Sequence, residues 1–247
     1  TISVAITEQL TKSFAAITNK GTLTVKDSGT EGKISVSYGG SSFGYGIGLY
    51  TISNEGGVLK IEGGIIENTA TVASSMYDAI DNNSTLGETV LNVTGGKVIC
   101  NQYIGVRQFA NNTTYDNIVN VTGGKVVGGN TSIWMQNPNS NQNKATIAIS
   151  GEANIEGRLL AGESEKFVFA VTGGTFTTDV TDFCAPGYIC EYDEETGTAT
   201  ITIDVESGDK KAYINGRYLE GGTYTIWYEN ENSISRKLQR PFKLAIS

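Results

Sequence analysis

The stretch Val90-Leu91-Asn92-Val93-Thr94-Gly95-Gly96 decides the fold, because close copies of it recur along the chain. In each copy apolar residues alternate with polar ones before a glycine or a glycine pair, the period of two that is typical of a half-buried strand ending in a tight turn. The other copies lie at residues 58–64, 118–124, 146–152 and 168–174, with a degenerate one at residues 22–28.

The spacing of the copies indicates a solenoid. The last apolar residue of each copy lies at position 25, 61, 93, 121, 149 or 171, so the steps are 36, 32, 28, 28 and 22 residues. One such unit cannot bury its apolar face alone, whereas stacked units share a continuous core and pair their strands. The sequence therefore predicts an all-β, right-handed parallel β-helix of about six rungs. The predicted core consists of Leu23, Val25, Leu59, Ile61, Leu91, Val93, Val119, Val121, Ile147, Ile149 and Val171.

Asparagine recurs after the short strand that precedes each loop between repeats. Its side chain can bond neighbouring turns, and its backbone tolerates left-handed conformations. Stacked at equivalent corners, these residues would form a ladder of amides; ordinary loop composition is the alternative interpretation. The candidate positions are Asn19, Asn54, Asn82, Asn111 and Asn137.

The pattern changes after the last glycine pair. Residues 192–205 read as a hairpin that turns at Thr196-Gly197, and Asn215-Gly216 is a strong two-residue hairpin signal. We therefore divide the chain into a β-helix with a closing hairpin, residues 1–205, and a C-terminal β segment, residues 206–247. That segment either caps the solenoid or anchors it to an acidic partner or a symmetry mate. The candidate anchoring residues are Tyr224, Trp227, Tyr228, Arg236, Lys237 and Arg240.

Residues 1–205 resemble right-handed parallel β-helix repeat proteins of gut bacterial surfaces and bacteriophage virions. The segments that carry the resemblance are residues 19–28, the Gly-Gly copies and Gly173-Gly174-Thr175-Phe176. The resemblance implies the pectate-lyase-like superfold and deployment outside the cytoplasm, on a cell surface or a virion. Enzymes that cleave polysaccharides share this superfold, and fold alone does not transfer their activity.

Composition narrows the function classes. The net charge of −8 opposes binding to nucleic acid. No apolar run approaches the length of a membrane span, so we expect no membrane insertion. Histidine is absent, which removes the commonest metal ligand and general base, and we expect no metal and no cofactor. Cys184 and Cys190 flank the turn-forming residues 185–187 and form either a local disulfide or two buried thiols.

No constellation specifies catalysis. A glycosidase needs two carboxyl groups roughly 5–9.5 Å apart across a groove. Asp78 and Asp81 are the nearest pair, on a strand that we expect to be solvent-exposed, without a matching acid on a neighbouring rung. A lyase would need a calcium-binding acidic cluster near Arg107 and Asp116, and none is visible. We therefore expect no enzyme and no catalytic residue.

A binding face is the remaining site hypothesis. Tyr50, Arg107, Trp134 and Arg158 hold roughly equivalent places, so parallel stacking would line them up for sugar rings or a protein partner. We expect a non-enzymatic structural or adhesive surface module whose partner is a protein or further copies of itself, such as a trimer, with carbohydrate as another ligand class. A β-helix enzyme that binds or cleaves polysaccharide is the alternative.

Overall fold

The computed structural model describes residues 1–246 except 30–31, 41–43, 45, 72–75, 111–113, 137–143, 165, 205–211, 215–216, 220–221 and 227–241. It divides into two compact units, Thr1–Thr202 and Ile203–Ser247. The described residues of the first unit form parallel strands, a closing hairpin and one short 3₁₀ helix, Thr181–Phe183.

The predicted parallel β-helix is confirmed. The strands of the repeated sequence segments stack in chain order as one six-stranded parallel sheet, which we call the first face. The chain makes about five turns along it. These strands are β3 (Thr22–Val25), β6 (Val58–Ile61), β9 (Thr89–Val93), β12 (Asn117–Val121), β14 (Ala145–Ile149) and β16 (Phe167–Val171).

The other strands of each turn form two further faces. The second face follows the glycine pairs and contains β1 (Ile2–Ile6), β4 (Lys33–Tyr38), β7 (Ile65–Asn68), β10 (Lys97–Cys100), β17 (Thr175–Phe176) and the first halves of β13 (Lys125–Gln136) and β15 (Asn154–Ala161). The third face contains β2 (Phe14–Asn19), β5 (Gly48–Glu55), β8 (Met76–Asn83), β11 (Ile104–Phe109) and the second halves of β13 and β15.

The sequence alignment of the repeats is also the structural register. Val121 pairs with Val93 on one side and with Ile149 on the other. All predicted core residues from Leu59 to Val171 are fully buried, and Leu23 and Val25 at the first rung are half-buried against the same core. Alternation along the strand therefore predicted correctly which side chains point inward.

Glycine is required at the corner after the first-face strands because the chains approach closely there. Gly96 and Gly124 have φ values of +70° and +71°. A Cβ atom at Gly124 would lie 2.6 Å from the carbonyl oxygen of Gly95 in the preceding rung. The glycine pairs thus allow both the positive φ angle at the corner and the close approach of successive rungs.

The far end of the β-helix carries the predicted closing hairpin. Strands β18 (Tyr188–Asp193) and β19 (Thr198–Ile203) pair, and β19 lies antiparallel against β17. The rings of Phe169 and Phe183 pack there with centroids 4.6 Å apart. Cys184 and Cys190 are free thiols in this end, so the local disulfide is not formed.

The second unit contains two antiparallel pairs. Strands β20 (Ala212–Ile214) and β21 (Arg217–Leu219) pair across the predicted Asn215-Gly216 hairpin position, and β22 (Gly222–Ile226) pairs with β23 (Phe242–Ile246). Tyr224 lies in β22, opposite Leu244. The other candidate anchoring residues, Trp227, Tyr228, Arg236, Lys237 and Arg240, lie outside the described residues.

Candidate functional site

The candidate site is a cluster of charged side chains buried in the third face. Strands β5, β8 and β11 are buried along nearly their whole length, on both sides of the sheet. The alternation of buried and exposed residues is therefore lost in these strands, and buried polar residues lie among the core residues. Register places Asp78 opposite Tyr50 and places Arg107 opposite Asp81.

Arg107 is the centre of this cluster and is only 3% exposed. Its Nε donates to Oδ1 of Asp81 at 3.1 Å, and its Nη2 donates to the hydroxyl of Tyr50 at 2.7 Å. Its Nη1 donates to Oε1 of Gln136 at 3.3 Å. Oδ2 of Asp78 lies 3.0 Å from Nε, which is ion-pair distance, but the angles do not make it a hydrogen bond, and both Asp78 oxygens lack a hydrogen-bond partner.

Aromatic rings flank the guanidinium on two sides. Its carbon lies 5.1 Å from the ring centroid of Tyr50 and 5.0 Å from that of Phe109. Both distances are within the range of cation–π attraction, which strengthens where water is excluded. Tyr50 therefore contacts Arg107 through both its hydroxyl and its ring.

Burial dominates the electrostatics of the cluster. It raises the pKa of Asp78 to about 7, against the attraction of Arg107 and together with repulsion from Asp81. Burial also raises the pKa of Asp81. Desolvation alone would lower the pKa of Arg107, but the charges of Asp81 and Asp78 hold it above its usual range. Two carboxyl groups thus share one cation, and burial favours retention of a proton on both of them.

The expectation that Asp78 and Asp81 lie on a solvent-exposed strand is wrong. They are 0% and 1% exposed, and both contact Arg107 rather than facing each other across a groove. A carboxyl with a pKa near 7 has the acidity of a general acid or base, but such a group must also reach the reacting atom. Arg107, which a lyase would use, is likewise held by its contacts with these two carboxyl groups. Among the described residues, no group of three or more acidic or cysteine side chains is placed to hold a metal ion.

The predicted binding row is split by the structure. Tyr50 and Arg107 are in contact and buried, and Trp134 lies opposite Arg107 on the next strand, half-buried. Arg158 is exposed, lies opposite Thr131, and donates to the backbone oxygen and to Oδ1 of Asn130. The outward-facing part of the row therefore consists of Trp134 and Arg158.

The amide ladder is confirmed for the rungs in which it is described. Nδ2 of Asn19 donates to Oδ1 of Asn54 at 2.7 Å, and Nδ2 of Asn54 donates to Oδ1 of Asn82 at 2.8 Å. The next acceptor is Oδ1 of Asn117 at 2.7 Å, at the start of the following first-face strand. Gln108 holds the register position opposite Asn82. Asn111 and Asn137 lie outside the described residues.

Gln136, Phe109 and Asn117 are members of these networks that sequence reasoning missed. Gln136 and Phe109 are opposite each other on neighbouring strands. Their meeting depends on register across loops of unequal length, which no local pattern encodes. Asn117 could have been found from the sequence, because it directly precedes the repeated apolar segment 118–124.

The outer surface of the rungs is crossed by ion pairs between successive turns. Lys26 contacts Glu62 at 2.8 Å, and Lys33 contacts Glu67 at 2.8 Å. On the first face Nδ2 of Asn120 donates to Oδ1 of Asn92 at 2.9 Å. The polar side chains of this surface therefore bind their neighbours along the stacking direction.

Comparison with known proteins adds no relative. No family model matches the chain, and the searches of curated proteins and of solved structures found no match. Over the part of the chain that the structure describes, no helix has the length and apolarity needed to cross a membrane. The chain is thus assigned by its architecture, as a parallel β-helix.

Proposed function

We propose that this chain is a non-enzymatic structural or adhesive module displayed outside the cell, on a bacterial surface or a virion. The observation that carries the proposal is the burial of the Arg107 cluster. The charged side chains of Asp78, Asp81 and Arg107 contact one another and are only 0–3% exposed. Such a cluster serves the scaffold, because no substrate reaches it in this conformation.

The surface supports the same function. Ion pairs and amide bonds join successive rungs on the outside of the scaffold, for example Lys26 with Glu62 and Asn120 with Asn92. A scaffold whose outer side chains also bind from rung to rung suits exposure to solvent. The resemblance of residues 1–205 to bacterial surface and phage β-helices favours this deployment, with a protein partner, further copies of the chain or a carbohydrate as the binding target.

A polysaccharide-binding or polysaccharide-cleaving enzyme is the second candidate. The observation in its favour is the pKa of Asp78, near 7, beside an arginine. Carboxyl groups with raised pKa values and basic side chains are the parts from which such active sites are built. The complete burial of Asp78 weighs against this candidate.

Incubation of the purified full chain with pectins and a panel of common glycans separates the two functions. We expect no new reducing ends and no unsaturated products. Turnover that disappears in Asp78→Asn or Asp81→Asn, while Asp182→Asn at an exposed position retains it, would establish the enzyme instead. Antibodies against the chain should also label intact cells or virions of its source; labelling that requires permeabilised cells would contradict surface display.

A further inference from the structure

Two of the three cysteines lie in the end of the β-helix that the β18–β19 hairpin closes. Cys184 directly follows the 3₁₀ helix, and Cys190 belongs to strand β18 of the hairpin. Both are half-buried free thiols, whereas Cys100 is fully buried in the core. A solute therefore reaches Cys184 and Cys190 more readily than it reaches Cys100.

The side chains of these two cysteines converge on Val180. The Cys184 thiol donates to the carbonyl oxygen of Val180, with the sulfur and the oxygen 3.6 Å apart. The Cys190 thiol contacts the backbone of the same residue, together with the side chains of Asp179 and Thr181. A disulfide forms only between cysteines whose side chains point toward each other. Their shared contact with Val180 brings the two thiols together in this way.

The chain between the two cysteines folds back on itself. Tyr188 N donates to the carbonyl oxygen of Ala185 at 3.0 Å, which closes a tight turn. Gly187 takes a φ of +85° within this turn, a value that glycine adopts without steric cost. The turn thus returns the chain toward Cys184 before Cys190 is reached.

The electrostatics of the thiols also show that they are close. Burial raises the pKa of Cys184, and the negative charge of a Cys190 thiolate would raise it further. Such repulsion requires two groups that lie near each other. Burial raises the pKa of Cys190 as well, against its contact with the Val180 backbone, which lowers it. Both groups are therefore protonated thiols at neutral pH, and the pair stays reduced until an oxidant reacts with it.

We propose that Cys184 and Cys190 are a site of oxidative modification, at which a small disulfide converts the two thiols into one intramolecular disulfide. One cysteine thiolate attacks a sulfur of the small disulfide, forms a mixed disulfide and releases one thiolate. The second cysteine thiolate then attacks the protein sulfur of the mixed disulfide and releases the other thiolate. Two electrons pass from the cysteine pair to the oxidant, and the two protons lost by the cysteines end on the released thiols.

The new bond would clamp the closing hairpin to the last rung. Cys184 is held to that rung, because it forms a β-bridge with Val171 of β16 and because Ala185 N donates to the carbonyl oxygen of Val171 at 3.0 Å. Cys190 lies in the hairpin itself. A covalent link between these two parts also restricts the unfolded chain. The closed end therefore resists opening more strongly in the oxidised chain than in the reduced chain.

Glutathione disulfide is a suitable probe for the full chain, which is first reduced and then freed of reductant. The titre of free thiols, measured after unfolding, should fall from three per chain to one. The intact mass should fall by two hydrogen atoms, with no glutathione retained. The tryptic fragment 167–210 contains only these two cysteines, and it should resist alkylation until the disulfide is reduced.

The variant Cys190→Ser is the matched control, because it leaves Cys184 without a second thiol. This variant should stop at the mixed disulfide and retain one glutathione. Cys100, whose pKa burial raises to about 12, should remain unmodified in the folded chain. Hydrogen exchange at the amides of β18 should be slower in the oxidised chain than in the reduced chain, and exchange at β9 should be the same in both.

Three results would overturn the proposal. In the first, all three thiols remain free in excess glutathione disulfide. In the second, Cys184 and Cys190 each retain a glutathione, so that they react as separate thiols. In the third, Cys100 reacts as fast as the pair, which shows that oxidation follows unfolding. Equal exchange at β18 in the oxidised and reduced chains would contradict the clamping of the hairpin.

Discussion

Arg107 of β11 connects three neighbouring strands of the third face, because it contacts Tyr50 of β5 and both aspartates of β8. It is surrounded by two carboxylates, a tyrosine hydroxyl, an amide and two aromatic rings, at 3% exposure. A buried ion pair gains little net stability over an apolar replacement of the whole group, but removal of one partner leaves the others uncompensated. The cluster therefore specifies one arrangement of β5, β8 and β11 and penalises others.

Replacement of Arg107 by leucine should lower the free energy of unfolding by about 3–5 kcal/mol, because Asp78 and Asp81 would keep their burial and lose their cation. Urea titration of both proteins measures the difference. The control is Arg158→Leu, since Arg158 is exposed and bonds to Asn130, and its loss should cost less than about 1 kcal/mol. Equal losses in the two variants would contradict the assigned role of Arg107.

The raised pKa of Asp78 predicts a pH dependence of stability. The pKa is about 7 in the folded chain, above the value of about 4 for an unfolded aspartate, so the folded state retains the proton more strongly. The stability that the retained proton of Asp78 contributes is complete below about pH 4 and is lost as the pH rises to about 7.

The variant Asp78→Asn should therefore match the wild type near pH 4 and exceed it in free energy of unfolding at pH 8, by at least about 1 kcal/mol. Thermal or urea unfolding across this range gives the comparison. The control is Asp182→Asn, because Asp182 lies at an exposed position outside the cluster. A variant that loses stability at pH 8 would show that Asp78 is held ionised by Arg107.

At the scale of the element, the glycine corners determine how closely the rungs stack. Gly124 and Gly197 have similar φ values, +71° and +64°. A Cβ at Gly124 would meet backbone atoms of Gly95 at 2.6 and 2.7 Å, whereas a Cβ at Gly197 would meet nothing within 4 Å. The two positions thus separate the cost of the left-handed backbone from the cost of rung contact.

Gly197→Ala should lower the free energy of unfolding by about 1 kcal/mol, the cost of the backbone conformation alone. Gly124→Ala should lower it by more than about 2 kcal/mol, because the methyl group meets backbone that cannot rotate away. Denaturant midpoints of the two variants provide the comparison. Similar losses would show that the corner can widen without cost.

The strands differ in how well their buried residues could be predicted from the sequence. The first-face strands alternate, end in glycine and repeat, so their pairing and their buried residues were predictable from residues 58–64 onward. Strands β5 and β8 are buried on both sides, so Asp78 and Asp81 carry no alternation signal and were wrongly expected in solvent. Their contact with Arg107 depends on register between rungs, which the unequal repeat lengths conceal.

At the scale of the molecule, the boundary between the two compact units lies near the end of the closing hairpin. The first unit ends at Thr202, directly after most of β19, and its C-terminal end is already closed by the β18–β19 hairpin. A chain truncated after residue 205 should therefore retain its β-sheet circular dichroism spectrum and its cooperative unfolding.

Sedimentation of the truncated and full chains then tests the anchoring role of residues 206–247. A folded, monomeric β-helix beside an assembled full chain would support anchoring through that segment. Collapse of the truncated chain would show that the segment is a cap instead. Alanine at Tyr224 in the full chain is the finer probe, because Tyr224 lies in a strand of that segment.

The hydrogen bonds between rungs run along the stacking direction, and this gives the β-helix an anisotropic response to mechanical load. Tension between its first and last turns pulls on the bonds of one rung interface at a time, whereas tension along a strand shears several bonds together. Under axial tension the β-helix should therefore lengthen in steps, each releasing one repeat of 22 to 36 residues. At the extended length of a residue, each step amounts to about 70–130 Å of released chain.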